Sequence, residues 1–115
     1  MRVLIVDDEV DIRDSLAELF ADEGYAVATA ADGGAALEAL ADPVLPSVVI
    51  LDILMPVLDG NQVYLHMRGD PRLAQVPVIV STSDPSRAPR GVPTLKKPFD
   101  VDRLLELVRG YCGTC

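Results

Sequence analysis

A chain of 115 residues has the length of one ordinary domain, with room for a real core but not for a sensor and an effector together. Half of it is hydrophobic and only 4% aromatic, so the core should be Val, Ile, Leu and Ala, the filling of a sheet covered by helices. A formal charge of −8 speaks against duplex DNA, and no apolar run reaches transmembrane length or a signal-peptide layout; the expectation is a cytoplasmic protein with a protein or small-anion partner, no nucleic acid and no membrane.

Residues 2–6 form a short β-branched apolar run that ends on Asp7-Asp8-Glu9, as a buried parallel strand does on reaching its sheet's edge. Ile12, Leu16, Leu19 and Phe20 then recur at helical spacing, and Gly24 supplies a stop. Residues 25–29 read as a second strand, after which Asp32 caps an Ala-rich helix carrying Leu37 and Leu40, closed by Pro43 and Pro46. The third strand is residues 47–51. Asp59-Gly60 opens a helix with Val63 and Met67 on one face, ending near Gly69-Asp70-Pro71.

Residues 76–81 give a fourth strand, with Pro77 at a position suited to a strand's start, and residues 92–95 a weaker fifth. The final helix has Asp100 as N-cap, Val101, Leu104, Leu105 and Val108 on one stripe, and Gly110 beyond its end. Strands alternating with helices predict an α/β fold, a doubly wound five-stranded parallel sheet with helices on both faces. One connection breaks the rule: residues 84–91 are too short and too rich in proline for a regular crossover helix, so a loop or a single turn is expected there. The pair Cys112 and Cys115 follows the last helix instead of opening one, and zinc would need two more ligands; two incidental thiols in a short tail, residues 112–115, are the expectation.

Ligands of open α/β sheets bind beyond the carboxyl ends of the strands. There the first strand delivers Asp7, Asp8 and Glu9, the third Asp52, the fourth Thr82 and Ser83, and the fifth Lys96-Lys97-Pro98. Each alone reads equally well as a loop charge or a helix cap. Together they are restrictive, because clustered carboxylates repel unless a cation sits among them, and oxygen ligands of this kind suit Mg²⁺ with waters and a phosphate. Lys97 and Thr82 add a point charge and a hydroxyl for a phosphoryl group, and a central carboxylate can act as nucleophile.

The segments VLIVDDE at 3–9, LDILMPVLDG at 51–60, PVIVSTS at 77–83 and LKKPF at 95–99, in that order, resemble the receiver domain of two-component response regulators, a family related to the chemotaxis response regulator. The resemblance covers nearly the whole chain and implies a receiver domain over residues 1–111 with the flavodoxin-like strand order 2-1-3-4-5. It implies that Asp52 accepts a phosphoryl group from a sensor histidine kinase or a histidine phosphotransfer protein. It further implies that Asp8, Asp52 and the Leu54 carbonyl bind Mg²⁺ directly, that Asp7 holds a metal-bound water, that Thr82 swings towards the phosphoryl oxygens, and that Lys97 pairs with them. The Lys97-Pro98 bond is expected to be cis. Such a domain catalyses its own phosphorylation and slow dephosphorylation, a switch that passes its state to an unknown downstream protein and leaves room for a homodimer. His66 has no place in this scheme.

The sequence also departs from the family. Thr94 stands three residues before the lysine, where many receivers carry an aromatic readout residue, and the segment between Thr82 and Lys97 is short by about two helical turns, reducing or removing the fourth helix. Phosphorylation is therefore expected to reorder the loop at 84–93 or to expose the last helix. Leu54 and Asp84 stand where they would tune the lifetime of the phosphorylated state. A phosphorylation-independent binding module is the alternative reading. An Asp-nucleophile phosphatase, which uses an acid two residues after its nucleophile, conflicts with Leu54.

Overall fold

The architecture, taken from a computed structural model that describes residues 2–55 and 58–112, follows from five short strands. The apolar run after Met1 becomes β1 (Arg2–Val6), and β3 (Val48–Asp52) and β4 (Val78–Thr82) are buried at every position, as strands covered on both faces must be. The two edge strands, β2 (Ala26–Ala30) and β5 (Thr94–Lys96), are only partly buried. All pairings are parallel and the order is β2-β1-β3-β4-β5, the doubly wound arrangement.

Among the described residues four α-helices cover this sheet: α1 (Val10–Asp22), α2 (Gly33–Leu40), α3 (Gly60–Gly69) and α4 (Val101–Cys112). Strand side chains alternate between faces, so Val3, Ile5, Val48, Ile50 and Ile79 pack with Leu16 and Phe20 of α1 and Leu104, Leu105 and Val108 of α4. Leu4, Val6, Val49, Leu51, Val78 and Val80 meet Ala36 and Leu40 of α2 and Val63 and Met67 of α3 on the other face.

Local chemistry fixes the helix ends. Gly24, at φ +94°, takes the left-handed position after α1; its N–H donates to Ala21 O at 3.0 Å and that of Tyr25 to Phe20 O at 3.0 Å. The Tyr25 ring then meets Phe20 edge-on at 5.7 Å, the apolar contact that accompanies such a stop. Asp59 and Gln62 close a reciprocal capping box at the start of α3, and Asp32 caps α2 through the Ala35 N–H.

The connection between β4 and β5 holds a single 3₁₀ turn, Pro85–Arg87, where the other crossovers carry α-helices. Its carbonyl at Arg87 accepts from Asn61 Nδ2 at 2.8 Å, and Ala88 and Val92 pack onto the α2–α3 side of the core in place of a helix.

Two expectations need correction. Gly110 does not end the last helix: α4 runs on through it to Cys112, because one glycine costs a helix only about 1 kcal/mol and the Leu104–Leu105–Val108 stripe already anchors the segment. Cys112 thus belongs to α4 and not to a tail, while its side chain and Cys115 lie outside the described residues. Strand positions also shift by a residue or two. β4 starts at Val78 because Pro77 has no N–H for the ladder and offers only its carbonyl, to Val49 N–H at 2.9 Å, and Pro93 acts likewise ahead of β5, accepting from Val80 N–H at 2.8 Å.

Candidate functional site

The carboxyl ends of β1, β3, β4 and β5 bring the acidic and basic residues together. Asp52 is the last residue of β3 and only 3% exposed; Asp7 follows β1 and is equally buried, while Asp8 beside it is open to solvent. Carboxylate oxygens of Asp7, Asp8 and Asp52 lie within 4.8 Å of one another. From the far side of the sheet Lys97 reaches across β4, its Nζ 2.9 Å from Asp7 Oδ2, 3.5 Å from Asp52 Oδ2 and 3.6 Å from Glu9 Oε1. The Lys97 N–H donates to Thr82 O at 2.8 Å, which extends the β4–β5 ladder to the lysine itself, and the Lys97-Pro98 bond is cis.

The supports of this cluster are mostly backbone. Asp7 Oδ1 accepts from the Glu9 N–H at 2.9 Å, Arg13 Nη1 donates to the Asp7 carbonyl at 2.9 Å, and Asp52 Oδ1 accepts from the Leu54 N–H at 3.1 Å. Gly60 lets the start of α3 lie directly under the acceptor loop: a Cβ there would fall 2.3 Å from Asp52 O, so no other residue fits without moving β3.

Burial is the largest influence on Asp52 and lifts its carboxyl from 3.8 to about 7, helped by the charge of Asp7 and a hydrogen bond with Asp8 and opposed by Lys97 and the Leu54 N–H. Burial works against the Lys97 ammonium too, but the hydrogen bond to Asp7 and the charges of Asp52, Asp7 and Glu9 outweigh it and hold the lysine above its ordinary value. The site therefore contains more buried negative charge than one ammonium comfortably neutralises. A small hard cation suits such an all-oxygen set.

Thr82 is fully buried, and its hydroxyl is engaged with the segment that follows: Oγ1 accepts from the Asp84 N–H at 3.1 Å and donates to Asp84 O at 3.4 Å. Thr94 Oγ1 donates to Val92 O, and Leu54 turns its side chain to solvent. His66 stands exposed on α3, away from the carboxylates.

Glu9, collected with Asp7 and Asp8 at the end of the first strand, completes the lysine's acidic surroundings. One participant escaped the sequence reading, Ser81: 2% exposed, the Cα register partner of Asp52, and carrying a hydroxyl with no hydrogen-bond partner among the described residues. An unpaired buried hydroxyl costs about 1–3 kcal/mol. Strand alternation could have flagged it, since Ser81 follows Ile79 on the face that carries Asp52.

Residues 3–109 match the family model described as the response regulator receiver domain. The chain belongs to that family. Among relatives, the response regulator MprA of Mycolicibacterium vanbaalenii is 36% identical over 118 residues, covering 95% of this chain and 49% of MprA, so the chain spans about half the length of the curated relatives it matches. Among solved structures, the response regulator TrrA of Thermotoga maritima, in complex with Mg²⁺-BeF, superposes with a TM-score of 0.84 at 31% identity over 96% of this receiver and 97% of TrrA. The receiver domain of a sensor histidine kinase from Pseudomonas aeruginosa, with a magnesium ion coordinated in its active-site cleft, gives 0.86 at 25% identity over 98% of both chains. A two-component receiver is thus the class of this chain, and its Asp7, Asp8 and Asp52 carboxylates are close enough together to hold a metal ion. No helix of the described residues is long and apolar enough to cross a membrane.

Proposed function

We propose that this receiver accepts a phosphoryl group on Asp52 from a phosphohistidine of a sensor histidine kinase or a histidine phosphotransfer protein. The observation that carries the reading is the placement of Asp52: buried at the end of β3, beside two further carboxylates and 3.5 Å from an ammonium. An Asp52 carboxylate oxygen attacks phosphorus; the O–P bond forms as the N–P bond of the donor breaks, and the electron pair leaves on the imidazole nitrogen. Lys97 then trades part of its contact with Asp7 for the new phosphoryl oxygens, and Thr82 turns its hydroxyl from Asp84 towards them. These groups act by alignment and charge, which is most of what phosphoryl transfer asks of a protein.

Mg²⁺ would be held by Asp8, Asp52 and the Leu54 carbonyl, with Asp7 acting through a water. When bound it supplies the positive charge that neutralises the attacking carboxylate and the phosphoryl oxygens. The downstream contact is with a protein, and phosphorylation reaches it through the segment at 84–93, which leans on Thr82. A purely phosphorylation-independent module is not favoured, because the charged residues that such a role would leave idle are all assembled.

Incubation with Mg²⁺ and acetyl phosphate, followed by intact-mass measurement, tests the proposal. One labile adduct of a single phosphoryl group is expected, absent in Asp52→Ala and absent without Mg²⁺. An adduct that persists in Asp52→Ala would overturn it.

A further inference from the structure

The end of β4 carries two adjacent hydroxyls, and alternation sends them to opposite faces. Thr82 follows Val80 towards the α2–α3 side, whereas Ser81 follows Ile79 towards the side of α1 and α4, the face on which Asp7, Asp52 and Lys97 meet. Ser81 is moreover in register with Asp52 on β3 and with Leu95 on β5. Lys97 lies two residues beyond Leu95, so its stem crosses the end of β4 on the Ser81 side of the sheet to bring Nζ to Asp52 and Asp7. Neighbouring strands stand about 4.8 Å apart, a distance that one rotation of a serine χ1 converts into hydrogen-bond contact.

The rest of that face of β4 is apolar. A serine there, closed off from water and without a partner among the described residues, is a liability to the resting fold unless some state of the protein uses its hydroxyl. Asp52, its register partner on β3, is a group whose needs change. Of its two oxygens, Oδ1 already accepts from the Leu54 N–H, and Oδ2 faces Lys97 at a distance longer than a good hydrogen bond.

We propose that Ser81 is a positioning residue for the acceptor: its hydroxyl turns to donate to the Asp52 carboxyl group and fixes the rotamer from which the other oxygen attacks phosphorus. Thr82 serves the incoming phosphoryl oxygens and Ser81 the carboxyl that receives them, one from each side of β4. The inference rests on Asp52 being the phosphoacceptor.

The test is the rate of adduct formation on Asp52 at varied acetyl phosphate with saturating Mg²⁺, for the wild type, Ser81→Ala, Ser81→Thr and Ser81→Cys, alongside each protein's thermal midpoint. Ser81→Ala should lower the maximal rate constant about tenfold, the size of one hydrogen bond to a charged group, and leave the half-saturating donor concentration unchanged. Ser81→Thr, which keeps the hydroxyl, should restore most of the rate, and the near-isosteric Ser81→Cys should not. The thermal midpoint of Ser81→Ala should equal or exceed that of the wild type. A Ser81→Ala rate equal to wild type overturns the proposal, as does a loss that follows a fall in thermal midpoint or that Ser81→Thr fails to restore. No adduct on the wild type would instead overturn the phosphoacceptor reading itself, and this inference with it.

Discussion

Replacing Asp52 with Asn should stabilise the metal-free protein, and by an amount that depends on pH in a defined way. In the unfolded chain this carboxyl ionises near 3.8, whereas in the fold burial holds its proton until about 7. A folded-state value raised above the unfolded one gives stability that is fully present below 3.8 and is lost as pH rises towards 7. The loss runs at about 1.4 kcal/mol per pH unit, so about 3 kcal/mol should disappear between pH 4.5 and 7, with no further change above. Asp52→Asn cannot ionise and escapes the loss.

Urea denaturation of both proteins in EDTA, at pH 4.5, 6, 7.5 and 8.5, reads this directly. The advantage of Asp52→Asn should widen by about 3 kcal/mol from pH 4.5 to 7.5 and then level off. Excess Mg²⁺ should close much of the gap, since a ligand at a hundred times its dissociation constant stabilises the folded state by about 2.7 kcal/mol and the variant replaces one proposed carboxylate ligand with a neutral amide. A gap that stays constant across this range would mean that Lys97 balances burial at Asp52, and one that shrinks as pH rises that it outweighs it. The electrostatic account of the site would then be wrong.

Lys97→Met leaves Asp7 and Asp52 buried without their ammonium and should cost about 3 kcal/mol at pH 8 but less at pH 5, where Asp52 can hold its proton; the same urea series checks it. Gly60→Ala forces a Cβ against the Asp52 carbonyl and should lower stability by about 1–3 kcal/mol and weaken Mg²⁺ binding, seen by thermal melting with and without the metal. Gly110→Ala, with open space around its Cβ inside α4, should instead stabilise by about 0.5–1 kcal/mol; a loss would show that the helix stops short of Cys112. Asn61→Ala removes the bond to the Arg87 carbonyl and should change global stability by less than about 1 kcal/mol while speeding hydrogen exchange across 84–93.

The strand order came with the family resemblance, but the meeting of Asp7, Asp52 and Lys97 could be read from the residues themselves for one reason: each charge follows an apolar run, and parallel strands all end on the same side. Position along the strand was enough to place them. Asp8 and Glu9 share that position, yet one is a candidate ligand and the other a neighbour of Lys97, a distinction that depends on how far the lysine reaches across the sheet. Gly110 misled because a local stop signal is weak against an apolar stripe that continues past it. Ser81 was hidden for a different reason. A serine at the end of a valine run looks like a strand coming out into water, whereas here it lies between β3 and β5 and is buried.

The short crossover was visible as a length, but not what it does. Thr82, Asp84, Ser86, Arg87 and Asn61 form a connected series: the Asp84 N–H rests on Thr82 Oγ1, the Asp84 carboxylate caps the 3₁₀ turn through the Ser86 N–H at 3.2 Å, and the turn ends on the Asn61 amide. A threonine hydroxyl cannot serve Asp84 and a phosphoryl oxygen in the same rotamer, so turning towards Asp52 releases the first link. In a crossover built around a full helix, the helix's own hydrogen bonds would absorb that loss. Here the segment has one turn with the Asp84 contacts to Ser86 and Arg87, the packing of Ala88 and Val92, the Thr94 hydroxyl on the Val92 carbonyl, and the Asn61 bond. If Asp52 is the phosphoacceptor, its chemistry would thereby be tied to the one crossover that carries no α-helix among the described residues, a route by which the receiver would report its state although Thr94 has no aromatic ring to turn.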